Sequence, residues 1–326
     1  MISQKAMAKS WPYSRHDAYE RELRKVAASW FASKGFPVQK KYPFILAEWE
    51  DWPRNIILED VAEHIKAQQA ARIAGDEGFP LHKYIHHGLS SQAMLFNLIG
   101  PLIVKEDLAL LKPLFESRGI EWPCGKITGE FEVEDRDVFQ EQYGQPTSID
   151  LVISRERGPS IFIESKLVER KFGGCSVFET QGDCNGRNPA NDFDSCYLHH
   201  IGRTYWPQMK QHGFLEGPLR ESTICPLANY YQFFREVIFA VHKGGYFVLL
   251  HDERNPSFVA KAEGLPERGT FSFLISLLPE PLKNRVKSIT IQEVLKHIKG
   301  SPGNKWASEF EAKYGLARYG TSQSQG

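Results

Sequence analysis

Asp150, Glu164 and Lys166 stand on either side of a short charged turn, Arg155-Glu156-Arg157-Gly158-Pro159. The runs that carry them, 147–154 and 160–166, are rich in β-forming residues, so the stretch reads as a β-hairpin. Symmetric pairing about Arg157 sets Asp150 opposite Glu164, with Cβ atoms roughly 4.5–5.5 Å apart. Alternation then puts Glu164 and Lys166 on the face of Asp150 and turns Ile149, Leu151, Ile153, Ile161, Ile163 and Ser165 the other way, into a core. Like charges placed opposite each other cost roughly 0.2–1 kcal/mol when exposed and more when desolvated. A divalent cation reverses that cost. Hard oxygen ligands at this spacing suit Mg2+ or Mn2+, which keep bound waters and take further ligands from a phosphate substrate. The competing reading is a surface hairpin whose charges are simply solvated.

Asp150 followed by Glu164-Ser165-Lys166 after a short hairpin resembles the core of the PD-(D/E)XK nuclease superfamily, and residues 90–255 resemble its type II-like restriction endonucleases. Ile149 departs from the proline that gives the superfamily its name. The resemblance implies an α/β, restriction-endonuclease-like core, a mixed central β-sheet flanked by helices. It implies a metal-dependent endonuclease hydrolysing DNA, of restriction or defence type. Asp150, Glu164 and the backbone carbonyl of Ser165 would hold Mg2+ or Mn2+, and Lys166 would orient or deprotonate the attacking water. A further acid near the metal is matched by Glu132 in Phe131-Glu132, and a glutamine on the helix after the lysine strand is matched by Gln232. Two alternatives stay open at these last positions. Glu130, Glu132 and Glu134 could share a wet strand face, and Gln232 and Arg235 could be buried polar residues that satisfy a neighbouring loop. For the whole chain the alternatives are a repair or RNA-directed nuclease of the same fold, or a catalytically silent nucleic-acid-binding module.

The elements that must position these residues follow from periodicity and punctuation. An amphipathic helix spans 15–34, with Ser14 as N-cap and Gly35 as stop, and a Trp/Pro-rich loop at 49–53 separates it from a second helix at 56–74. Ser90-Ser91 opens a helix containing Gln92, and another covers 105–118 with a kink at Pro113. A strand at 126–134 leads into the hairpin. Later come an aromatic helix at 227–242, a buried strand at 246–250, an apolar strand at 271–278, a helix opened by the Thr290…Glu293 capping box, and a last helix at 304–314. These divide the chain into a helical N-terminal extension (1–88), a nuclease core (89–258) with a cysteine-containing insertion (173–226), and a C-terminal strand and helices (259–326).

Four cysteines of the insertion region, Cys175, Cys184, Cys196 and Cys225, invite a Zn2+ or iron–sulfur reading, since thiolates are the ligands those centres take. No Cys-x-x-Cys pair is present, and the alternative is partly buried free thiols packed as small hydrophobes. His82, His86 and His87 fall in one loop, where structural roles outnumber metal sites. Glu169 matches a position where relatives keep an acid, and Arg170 and Lys171 would lie near a bound phosphate. Basic residues cluster before and within the first helix (Lys5, Lys9, Arg15, Arg21, Arg24, Lys25) and towards the C-terminus (Lys283, Arg285, Lys287, Lys296, Lys299, Lys305, Arg318). Both are candidate DNA-backbone surfaces or ordinary solvated faces.

The 40 basic and 40 acidic residues balance, so any phosphate-binding surface is local rather than global. No apolar run approaches the roughly 18 residues needed to span a bilayer, and no apolar signal segment follows the first lysines. Five unevenly spaced cysteines do not form a secreted disulfide framework. The expectation is a cytoplasmic protein with DNA as partner and a possible homodimer, ending in a disordered Gly/Ser/Gln tail after Tyr319.

Overall fold

The computed structural model describes residues 11–316 apart from Glu77, Cys124, Glu156 and Pro302. Lys5, Lys9, Arg318 and the tail after Tyr319 lie outside the described residues. Five strands form one sheet in the order β1 (Ile127–Asp135), β2 (Thr147–Arg155), β3 (Ile161–Lys166), β4 (Tyr246–His251) and β5 (Val286–Thr290). β1, β2 and β3 are antiparallel neighbours, whereas β4 and β5 continue parallel to β3. This is a mixed sheet, and helices cover both faces.

On one face Phe131, Leu151, Ile153, Ile161, Ile163, Val248, Leu250 and Ile289 share a core with α1 (His16–Ser33), α2 (Glu59–Ala74), α3 (Ser91–Val104) and α4 (Lys112–Ser117). The chain from 173 to 221 holds three short helices, α5 (Tyr197–His200), α6 (Tyr205–Gln211) and α7 (Pro218–Glu221). The longer α8 (Pro226–His242) follows, and with α6 it covers the other face over Val152, Phe162, Phe247, Leu249 and Val286. After β4 come α9 (Thr270–Ser276) and α10 (Glu280–Lys283), and after β5 come α11 (Ile291–Lys299) and α12 (Trp306–Tyr314). α11 and α12 return to the first face, where Tyr314 packs with the N-terminal helices.

Local chemistry explains most of these boundaries. Ser90 caps α3 by accepting from the Ala93 N–H, and Thr290 and Glu293 form a reciprocal capping box at α11. Gly100 lets α2 and α3 approach, because a Cβ there would stand 2.6 Å from Val61 Cγ1.

Several expectations need correction. α1 starts at His16 with Arg15 as N-cap, and no side chain caps it. The Trp/Pro-rich segment is a 3-10 turn, Trp49–Asn55, and α2 starts only at Glu59. Pro113 does not kink a long helix. A 3-10 turn, Leu108–Leu111, precedes α4, and Pro113 sits in α4's first turn, where its missing N–H is harmless. The expected strand at 271–278 is α9: Phe271, Leu274 and Leu278 are buried while Phe273 is exposed, a helical rather than alternating spacing. The fifth strand is Val286–Thr290, which its Lys287 and Ser288 disguise.

Candidate active site

The β2–β3 ladder pairs Leu151 with Ile163, Val152 with Phe162 and Ile153 with Ile161, so the next position sets Asp150 across from Glu164. β1 adds a third acid. Phe131 pairs with Leu151 and Val133 with Ile149, which leaves Glu132 across from Asp150. Three carboxylates therefore form a row over three adjacent strands.

Glu132 has φ +52, a left-handed backbone uncommon for a residue with a side chain. Alternation breaks there. Phe131 belongs to the core under α3, but Val133, two residues on, packs on the core under α8. Ile149, the partner of Val133, follows it, which corrects the expectation that Ile149 shares a core with Leu151.

Glu164 and Lys166 are almost wholly buried, at 2% and 6% exposure, on the face covered by α8. Lys166 Nζ donates to Glu164 Oε1 at 2.6 Å and to Gln232 Oε1 at 3.0 Å. Gln232 Nε2 in turn donates to the same Glu164 Oε1 at 2.6 Å. Glu164 Oε1 thus has two donors, whereas Oε2 is buried with no hydrogen-bond partner. The Ser165 N–H donates to Asp150 Oδ2 at 2.8 Å, fixing that carboxylate against β3.

The charges are out of balance. Burial, then Glu164 and Glu132, push the Asp150 carboxyl well above the ordinary range. Burial also lifts Glu132 to about 7; the Gln92 amide opposes the rise, and Glu164 and Glu134 add to it. Burial alone would lower Lys166, but Glu164, then Glu169 and Asp150, hold it above the usual lysine value, so it stays charged.

Hard carboxylate donors, one of them with an orphaned buried oxygen, fit a divalent cation such as Mg2+ or Mn2+. The three carboxylates do not all approach within 4.8 Å of one another. That spread suits an ion that keeps waters and takes phosphate oxygens. Among the described residues the one trio of candidate ligand atoms within 4.8 Å is His16, Asp17 and Glu20. Arg170 already pairs with both acids there, at 2.5 and 3.2 Å.

Two residues of the site were not singled out from sequence. Gln92, in the first turn of α3, donates to Glu132 Oε1 at 2.7 Å and accepts from the His82 N–H at 2.9 Å, tying the loop before α3 to the acidic row. With Asn97 it is one of two large polar side chains in an otherwise apolar helix, and that was the available signal. Glu236 lies one turn after Gln232 on α8 with 0% exposure, and its i, i+4 spacing marked it.

Other candidates lie elsewhere. Arg235 pairs with Glu141 at 3.8 Å and stacks over Tyr231, in a buried network with Tyr205 that joins α6 and α8 to the start of β2. Arg170 pairs with Asp17 and Glu20 of α1, and Lys171 with Glu179 at 3.4 Å, all as exposed ion pairs. Glu169 accepts from the Leu167 N–H, just past Lys166. Glu134 pairs with Arg72. His82, His86 and His87 form no three-residue ligand group, and burial lowers the pKa of each. A cleft of about 740 Å3, lined by His64, Arg72, Phe79 and the outer strand from Gly129 to Glu134, opens beside Glu132.

A mixed five-stranded sheet with helices on both faces and this carboxylate–lysine constellation defines a restriction-endonuclease-like protein. The model of the family described as Restriction Endonuclease associating with ARP matches residues 24–315, most of the chain, and the chain belongs to that family. No curated protein and no solved structure matches it. Among the described residues no helix is long and apolar enough to cross a membrane.

Proposed function

We propose that this chain is a metal-dependent endonuclease of the PD-(D/E)XK type that hydrolyses DNA phosphodiester bonds in restriction or defence. The observation that carries the proposal is Glu164, whose Oε1 is saturated by Lys166 and Gln232 while its buried Oε2 has no partner. A buried carboxylate oxygen left bare costs about 1–3 kcal/mol or more unless a cation reaches it. Asp150 and Glu164 would hold Mg2+ or Mn2+, with the Ser165 carbonyl as a third ligand. When bound, the ion supplies Lewis-acid stabilisation of the phosphoryl oxygens and makes water a better nucleophile at neutral pH.

The chain's own groups divide the remaining work. Lys166, held charged by its acidic neighbours, orients the attacking water and stabilises negative charge as it develops on the phosphate; this state suits it less to removing a proton. Glu132, poised near 7, can hold or release a proton beside that water. Gln232 keeps Lys166 and Glu164 in register. One such site per chain cuts one strand at a time, so concerted double-strand cleavage favours a homodimer.

The test is incubation of purified protein with plasmid, single-stranded DNA and RNA under Mg2+ and under Mn2+. Cleavage of duplex DNA, lost in Asp150→Ala, Glu164→Ala and Lys166→Ala with the fold retained, is the expected result. Cleavage of RNA alone moves the assignment to an RNA-directed nuclease. DNA binding in Ca2+ with no cleavage under either metal reduces the chain to a binding module.

A further inference from the structure

The chain between Gly173 and His200 has little to hold it. Among its described residues the buried apolar groups are Cys175, Val177, Pro189 and Ala190, with Phe193, Cys196 and Leu198 partly buried, and its helical pieces are short turns. Such a segment cannot offset its ordering entropy by burial and needs a local cross-link. Cys175, Cys184 and Cys196 of this segment, and Cys225 after it, form no disulfide.

The backbone draws three of them together. The Cys175 N–H donates to the Ala228 carbonyl at 3.1 Å, and the Ala228 N–H donates to the Cys225 carbonyl at 3.1 Å. The Cys225 N–H donates to the Gly186 carbonyl at 2.8 Å, and the Gly186 N–H donates to Cys184 Sγ at 3.4 Å. An isolated bridge between Arg187 and Ile224 closes the same junction. Cys196 lies within electrostatic reach of Cys175 and Cys225, as does Cys184. Cys175, Cys184 and Cys225 are thus linked through the backbone at the first turn of α8, with Cys196 in their neighbourhood. Gly174 permits the approach, since a Cβ there would stand 2.6 Å from the Ala228 carbonyl oxygen.

A backbone amide reaches one of the sulfurs directly: the Gly186 N–H donates to Cys184 Sγ. Such a donor gains little from a neutral thiol and much from a thiolate. We propose that Cys175, Cys184, Cys196 and Cys225 bind one Zn2+ as a tetrathiolate, stapling the insertion to the start of α8.

In tetrahedral geometry Zn–S bonds of about 2.3 Å place sulfurs roughly 3.8 Å apart. No three of these sulfurs lie within 4.8 Å of one another, so the site closes by rotation of Cys184 and Cys196, both half-exposed, towards the two buried thiols. Burial pushes Cys225 up to about 12, and Cys175 upward as well, so binding exchanges thiol protons for the ion and releases them to solvent.

The experiment is elemental analysis of the full chain purified under reducing conditions, which reads metal independently of DNA cleavage. One zinc per chain is expected, with Cys225→Ser and Cys184→Ser losing it and Cys124→Ser retaining it. Because Cys225→Ser could fail to fold, wild-type protein is also stripped with a zinc chelator and probed by limited proteolysis. New cuts confined to 173–226, reversed by added Zn2+, support the staple. Absence of stoichiometric zinc, iron with acid-labile sulfide in its place, disulfides among these cysteines, or equal zinc loss in Cys124→Ser overturns it.

Discussion

Gln232 and Glu164 are joined at 2.6 Å across the gap between α8 and the end of β3, and the same glutamine accepts from Lys166 at 3.0 Å. One amide on a helix therefore orients the carboxylate and the lysine of one strand. Neither partner can be repositioned alone. Replacing Gln232 by alanine leaves Lys166 with Glu164 as its one remaining acceptor and Glu164 Oε1 with one donor. Loss of such an outer partner typically lowers metal affinity or activity about 10–100-fold. Single-turnover cleavage under saturating Mn2+ should show a loss in that range with an unchanged circular dichroism spectrum; a wild-type rate removes Gln232 from the site.

The acidic row gives metal-free stability a defined pH dependence. Glu132 titrates at about 7 in the fold because burial raises it, against about 4.3 in an unfolded chain. Between those values the folded state binds more protons, so this group's contribution to stability is full below the unfolded value and is lost as pH rises through 7. Glu132→Gln removes that loss. In EDTA, its melting temperature should exceed that of wild type by a margin that widens from about pH 5 to about pH 8. Added Mg2+ should narrow the margin at the upper end by stabilising wild type more. A margin independent of pH would show that the carboxyl is not strained in the fold.

The hairpin was legible because two independent signals converge on it: a Gly-Pro turn sets its register, and isoleucines at alternate positions set its faces. The observed pairs, Leu151–Ile163 to Ile153–Ile161, keep the register that symmetry about Arg157 requires, whose next position sets Asp150 opposite Glu164. Gln92 was not legible. Its contact with Glu132 spans 40 residues and depends on the +52° φ of Glu132, a backbone state that no side-chain pattern encodes. β5 was missed for a related reason. It is short and pairs only with β4, so Lys287 and Ser288 are tolerated there and no alternation survives to be read. The partners of Arg170 and Lys171 were not legible either, since Asp17 lies 153 residues away on α1 and Glu179 sits in the irregular segment after β3.

Lys313 is a buried cation remote from the acidic row. It is 1% exposed, its Nζ donates to the Asn55 carbonyl, and the ammonium lies 4.5 Å from the Trp30 ring centroid. Burial drives its pKa well below the ordinary value, with Glu309 opposing only weakly. The unfolded chain keeps this proton up to about 10.4 and the folded chain gives it up earlier, so stability rises with pH across that window. The Asn55 carbonyl also accepts from Asn97 at 3.0 Å and stays satisfied without the lysine. Lys313→Met should therefore melt higher than wild type near neutrality, by an amount that shrinks towards about pH 10. A variant destabilised equally at both ends would show that the cation–π contact outweighs the burial cost.

Glu236 tests whether every acid near Lys166 is used. Its carboxyl is fully buried, neither oxygen has a hydrogen-bond partner, and burial followed by Glu164 pushes it well above the carboxylate range, so it is held as a neutral acid. Gln232, one turn earlier, pulls weakly the other way because its amide is committed to Glu164 and Lys166. A neutral acid without partners contributes no charge to Lys166 and costs about 1–3 kcal/mol of desolvation. Glu236→Met, similar in length and apolar, should raise stability by about that amount in denaturant melts and leave the cleavage rate and its pH optimum unchanged. If the rate falls with the rise in stability, Glu236 is ionised in the working enzyme and belongs with Glu164 among the groups that hold the lysine charged.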